Sequence, residues 1–326
     1  MTSGTAIELA RREGRALGSP LRLTMADAAV AGALEIADEA WSAVEAVFAA
    51  LDTAMSRFRE DSELTGLCRR SPEPTAGVSR MLVRALVAAD RATRITGGRF
   101  DPRVVESLER IGYLGVPQGR DPGSLPIRRG SADRVVVREG RRGAIALPKA
   151  VDLGGIGKGL ALRWSADMLD RVLAGVMNSG GGYLLDAGGD VVGNGTAGSA
   201  EPWLVGIEDP SGGERPAAVI RGAGRWAVAT SSTGRLRWER DGRMVHHLID
   251  PRTGEPGGDG LLAVTVAGAD PAWAEVWSKA LFLEGVRGVA DAARRRGLAA
   301  WWATEDGRFE MTAAARARTI WVAGEA

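Results

Sequence analysis

The chain has 326 residues, 45% hydrophobic and 25% charged, a composition that predicts a soluble globular protein with a sizeable core. Its formal net charge of +1 gives no electrostatic reason to expect nucleic acid or an anionic membrane as a partner. No stretch approaches the roughly 20 apolar residues of a membrane span, and a single cysteine, Cys68, excludes an intramolecular disulfide or a thiolate metal cluster.

Met1 to Gly18 carries Glu8 and Glu13 among its arginines and lacks an apolar signal core, which predicts an unprocessed, cytoplasmic protein. Ala, Glu, Leu and Val at helical spacing predict one long helix over 27–55, followed by a loop from Ser56 to Ser62. A second helix is expected over 78–96, stopped by Gly97-Gly98. A Gly-, Pro- and Arg-rich loop over 119–143 surrounds a strand expected at 134–138. Next, Val151-Asp152-Leu153 runs through Gly154-Gly155-Ile156-Gly157-Lys158-Gly159 into an amphipathic helix over 160–173. Strands follow at 183–187, 203–207, 226–230 and 261–267, then a helix over 273–283. Strands and helices mix without βαβ alternation, so the expected fold class is α+β in one domain.

Asp152 to Gly159 has the form of an anion-binding turn, because bare glycines admit a phosphate to backbone N–H groups at a helix start. It matches neither familiar phosphate motif. Gly159 stands where a P-loop needs Ser or Thr, and Gly155 and Gly157 are followed by Leu160 where a dinucleotide fingerprint needs Gly. A ligand-free strand-to-helix turn is the alternative. Gly180-Gly181-Gly182 and Gly188-Gly189-Asp190 suit either a ring or diphosphate, or a bend in a sheet.

The only histidines, His246 and His247, precede Leu248-Ile249-Asp250-Pro251-Arg252-Thr253-Gly254, a turn able to aim one of them into a cleft for proton work or phosphate contact. Glu275 and Lys279 lie four apart on an otherwise apolar helix, and lysine is scarce: Lys149, Lys158 and Lys279 are three among 42 basic residues. The simplest reading of that pair is an i,i+4 ion pair worth about 0.2–0.5 kcal/mol; a site component is the other. Phe58 and Phe100 could stack on a ring or serve the core.

Taken in order, Ser56-x-Phe58 with Ser62-Glu63-Leu64, Gly98-x-Phe100-Asp101-Pro102, Asp152 to Gly159, Leu185 to Asp190, Ala229-Thr230-Ser231, His247 to Gly254 and Ala274-Glu275 resemble the FAD:protein FMN transferase family, also called ApbE-like. The resemblance spans roughly residues 15 to 290. It implies a single α+β domain with mixed or antiparallel sheets and flanking helices around a deep flavin cleft. The implied chemistry splits FAD with Mg²⁺ and places FMN on a Thr or Ser of an acceptor protein, releasing AMP. The resemblance further implies FAD contacts at Leu17, Phe58, Arg99, Phe100, Asp101, Asp152, Lys158 and Ile249, with His247 near the pyrophosphate assisting transfer alongside Glu275. It places the metal between the Gly155 carbonyl and side chains of the 275–279 turn.

At that turn the chain departs from the family pattern, which has Asp where Glu275 stands and Thr where Lys279 stands. Glu adds a methylene to a ligand of a metal that tolerates misplacement poorly, and a protonated Lys cannot coordinate at all. The expectation is that the Lys279 ammonium stands in for part of the metal's charge, paired with Glu275 and the FAD phosphates. A flavin-binding protein without transfer activity, and a hydrolase releasing FMN and AMP to water, are the alternatives.

Overall fold

The computed structural model describes residues 9–26, 33–114, 134–139, 144–213, 215–222, 224–234 and 236–324. The long helix forms over Ala33–Met55, the earlier part of its expected span lying outside the described residues. Ala37, Ala40, Val44, Phe48 and Leu51 recur at helical spacing and are buried in the largest core cluster, against the helix Gly157–Val172. Each fully buried side chain of the size of Leu or Phe contributes about 1.5–3 kcal/mol. The expected loop after it holds, but a helix missed in the sequence, Glu63–Arg70, follows at once; Ser62 caps it by accepting the Thr65 N–H at 3.0 Å.

The helix Arg80–Ile95 is capped by Ser79 and ends before Gly97 and Gly98, both at positive φ. The strand expected at 134–138 appears shifted to Val137–Glu139, paired with Ala144–Ala146; most of the loop around it lies outside the described residues.

An eight-stranded sheet runs in the order Leu9–Ala16, Ser19–Ala26, Gly182–Ala187, Asp190–Gly195, Trp226–Ser232, Leu261–Gly268, Ala299–Thr304, Phe309–Met311. Every pairing in it is antiparallel. A three-stranded sheet of Trp203–Ile207, Ala218–Gly222 and Thr319–Val322 forms a second core with Trp226 and Trp301. The helices Gly157–Val172 and Pro271–Phe282 pack on each other and on the large sheet. The fold is α+β, as the unalternating pattern predicts. No helix among the described residues is long and apolar enough to cross a membrane.

Candidate functional site

Two helix starts meet at the middle of the large sheet, and a glycine allows them to touch. A Cβ on Gly159 would lie 2.5 Å from the Ala272 Cα and 2.7 Å from the Pro271 carbonyl oxygen. That approach brings Glu275, on the Pro271–Phe282 helix, to the first turn of the Gly157–Val172 helix. There its Oε2 accepts the Gly159 N–H at 2.7 Å. A carboxylate at a helix start also meets the positive end of the helix dipole. Glu275 is only 4% exposed, and burial pushes its carboxyl up to about 7, with Asp190 adding to the rise and Lys158 and Lys279 opposing it.

The glycine turn ahead of that helix is drawn tight by Asp152. Its N–H donates to the Pro102 carbonyl at 2.7 Å, and its Oδ1 accepts the Gly154 N–H at 2.6 Å. Arg57, 5% exposed, reaches Asp152 at 3.5 Å and Glu109 at 3.8 Å while donating to the Tyr113 carbonyl. On the other side of the turn, Gly188 and Gly189 (φ +67 and +94) form the bend between two sheet strands and set Asp190 facing the site. Asp190 forms an ion pair with Lys158 and accepts the Thr230 N–H at 3.0 Å. Thr230 and Thr265 share a hydroxyl hydrogen bond of 2.9 Å, as do Ser231 and Ser278.

Around these groups the protein encloses two cavities. The smaller is largely apolar and is lined by Phe58, Arg99, Phe100, Asp101, Asp152, Gly155, Ile249 and Tyr113, among others. The larger, about 520 Å³, is lined by Lys158, Gly188, Asp190, Thr230, Ser231, Thr265 and Glu275. Gly154, His247 and Lys279 line both and so form the wall between them. The glycine turn and the histidine therefore face one another, a relationship that no local sequence signal reveals.

His247 follows the strand Arg243–His246 and lies 6.3 Å from the Tyr113 ring. Its Nδ1 is buried and has no hydrogen-bond partner among the described residues. Burial, reinforced by the positive charge of Lys279, lowers its pKa to about 3 against the pull of a backbone hydrogen bond at Leu236, so the ring is neutral. Burial likewise lowers the pKa of Lys279, with Glu275 opposing. Phe58 is 54% exposed and stands edge-on to Tyr113 at 5.7 Å, and Tyr113 stacks on Trp238.

Most residues singled out in the sequence converge here. Phe58, Arg99, Phe100, Asp101, Asp152, Gly155, His247, Ile249 and Lys279 line the first cavity; Lys158 and Glu275 line the second. Leu17 does not. It occupies the turn of the N-terminal hairpin at φ +50 and packs against the main core, while Ser19, two residues on, lines the larger cavity. The Arg99 guanidinium points its donors at Asp250, the Leu283 carbonyl and Glu284, so it braces the wall. Asp101 is similarly held by Arg103 at 2.7 Å. The expected Glu275–Lys279 ion pair does not form: no distance within 4 Å joins the ammonium to the carboxylate oxygens, although both lie on the helix Pro271–Phe282. Arg57, Tyr113 and Trp238 escaped sequence reasoning: Arg57 is the unspecified position between Ser56 and Phe58, and nothing near Tyr113 or Trp238 in sequence marks a site.

The α+β fold thus arranges a glycine turn, two lysines and an aromatic wall around one divided cleft. The ApbE family pattern matches residues 17–302, and the chain belongs to the ApbE family. It is 27% identical over 307 residues to the FAD:protein FMN transferase of Klebsiella pneumoniae, covering 90% of this chain and 84% of that one. It is 28% identical to the protein of the same name from Haemophilus influenzae, covering 79% and 76%. Among solved structures, the ApbE protein of Thermotoga maritima superposes with a TM-score of 0.78 at 24% identity, covering 95% and 99%. Flavin transferase ApbE from Vibrio cholerae gives 0.73 at 22% identity, covering 96% and 99%.

Proposed function

We propose that this chain binds FAD across the two cavities and transfers FMN from it to a Thr or Ser hydroxyl of an acceptor protein, releasing AMP. The observation that carries the reading is the shared wall of Gly154, His247 and Lys279. A ligand with an aromatic ring in the apolar cavity and a polar half in the larger one must pass its diphosphate across that wall. Phe58, Tyr113 and Ile249 suit the ring, and Lys158 with the Gly154-Gly155 turn suits the phosphates.

In the transfer step the acceptor oxygen attacks the FMN phosphorus while the bond from that phosphorus to the bridging oxygen breaks, and AMP leaves with the bridging oxygen. The hydroxyl proton needs an acceptor, and the unpartnered Nδ1 of neutral His247 supplies one beside the diphosphate path. The imidazolium so formed is stabilised by the phosphate charge next to it.

A divalent cation is implied by the family resemblance, but the residues present do not fit one. Among the described residues, no group of three or more His, Cys, Asp or Glu side chains is placed to hold a metal. Glu275 already accepts the Gly159 N–H, and the Lys279 stem fills the space beside Gly155.

The experiment is to incubate the protein with FAD and candidate acceptor proteins, then separate the proteins under denaturing conditions. A fluorescent acceptor band with matching AMP supports the reading. FMN and AMP accumulating without any acceptor would identify a hydrolase instead, and tight FAD binding without AMP a flavin-binding protein.

A further inference from the structure

We propose that the Lys279 ammonium is a built-in replacement for a divalent cation, holding the diphosphate of FAD directly so that the chain binds FAD without metal. The inference rests on the function proposed above and concerns the same cleft.

Lys279 is the one cavity-lining lysine left unpaired among the described residues. Its ammonium makes no hydrogen bond and no ion-pair contact within 4 Å, although the side chain is half-buried against Gly155 and the Phe100 ring and lies near Glu275. The other charges around it are engaged. Lys158 is paired with Asp190, Asp190 also takes the Thr230 N–H, Glu275 takes the Gly159 N–H, and Asp152 takes the Gly154 N–H. Burial without a charged partner disfavours the ammonium and lowers its pKa. An anionic ligand in the cleft would offset that cost and hold the group charged.

The stem is held in place. A Cβ on Gly155 would lie 2.6 Å from the Lys279 Cε and 3.2 Å from its Cδ, so the methylenes lie flat against the turn's backbone. Lys279 thereby stands in the wall between the cavities, where the diphosphate of a ligand spanning both would run. The same packing removes the room a hydrated cation would need beside Gly155, and a fixed ammonium repels a dication. The Glu275 carboxylate, turned to the helix start, satisfies a backbone donor.

The test is calorimetric titration of FAD into the full-length protein, in EDTA and in excess Mg²⁺, for the parent chain and for Lys279→Thr and Lys279→Met. The parent chain is expected to bind FAD with the same affinity in both buffers. Lys279→Met keeps the stem's bulk and loses the charge; it should bind about 10- to 100-fold more weakly in either buffer, the loss of one charge-assisted contact. Lys279→Thr opens space and supplies a neutral oxygen, and its affinity should recover in Mg²⁺ but not in EDTA. Binding by the parent chain that is tenfold tighter in Mg²⁺ than in EDTA overturns the inference while leaving FAD binding intact. So does unchanged affinity in Lys279→Met. No FAD binding by the parent chain in either buffer overturns the functional reading along with it.

Discussion

Glu275 and Lys279 lie one helical turn apart and do not pair: the carboxylate turns to the Gly159 N–H at 2.7 Å, and Lys279 lines both cavities as part of the wall between them. The helix thus delivers two opposite charges to two different tasks. Glu275 secures the start of the neighbouring helix, and Lys279 faces the ligand space.

The buried carboxyl makes stability depend on pH. Glu275 is raised to about 7 from an ordinary 4.5, so the folded protein holds that proton more tightly than the unfolded chain. Its contribution is fully present below pH 4.5 and is lost as pH rises through 7. Glu275→Gln keeps the acceptor for Gly159 and removes the titration. Relative to the parent chain, its unfolding free energy should therefore grow between these pH values, by up to about 3 kcal/mol. Denaturant unfolding at a series of pH values checks this; a constant difference would contradict it.

Gly159→Ala should separate the two helices. The added Cβ meets the backbone of Pro271 and Ala272 at 2.7 and 2.5 Å, and backbone cannot swing away as a side-chain tip would. A loss of about 1–3 kcal/mol is expected, the usual cost of overpacking, with FAD affinity falling alongside. Unfolding midpoints and a crystal structure of the variant check it.

His247→Gln should reduce transfer by about 10²–10⁴-fold, the range for loss of a general base, while FAD affinity changes little. Single-turnover transfer and equilibrium FAD binding separate the two effects. Comparable losses in both would place His247 in binding alone.

Asp190→Asn should retain an acceptor for the Thr230 N–H but leave Lys158 without its charged partner. Since Lys158 is 27% exposed and solvent screens part of the loss, about 1–2 kcal/mol of stability is expected to go. Urea unfolding of the two proteins measures it.

Much of this arrangement is legible in the sequence where chemistry is local. The 3.6-residue apolar period exposes the helix of Phe48 and Leu51, and residue-type runs expose the strands Trp203–Ile207 and Leu261–Gly268. The scarcity of lysine singles out Lys158 and Lys279. What stays hidden depends on contacts between distant segments. The Gly159 N–H meets Glu275 across 116 residues, and Trp238 donates to the Ile111 carbonyl across 127. Spacing alone suggests that Glu275 pairs with Lys279, because it cannot show that another helix start lies closer. Leu17 is the converse case: family resemblance implies a flavin contact, while the hairpin turn packs it on the main core.

Covalent transfer tests the central claim most directly. The protein should be incubated with FAD and an acceptor carrying a Thr or Ser flavinylation site, and both products followed together by mass spectrometry and nucleotide analysis. The expected result is an acceptor heavier by one FMN less one water, stable to denaturation, with one AMP released per acceptor modified. An acceptor of unchanged mass, with FAD intact or with free FMN and AMP in solution, would contradict it.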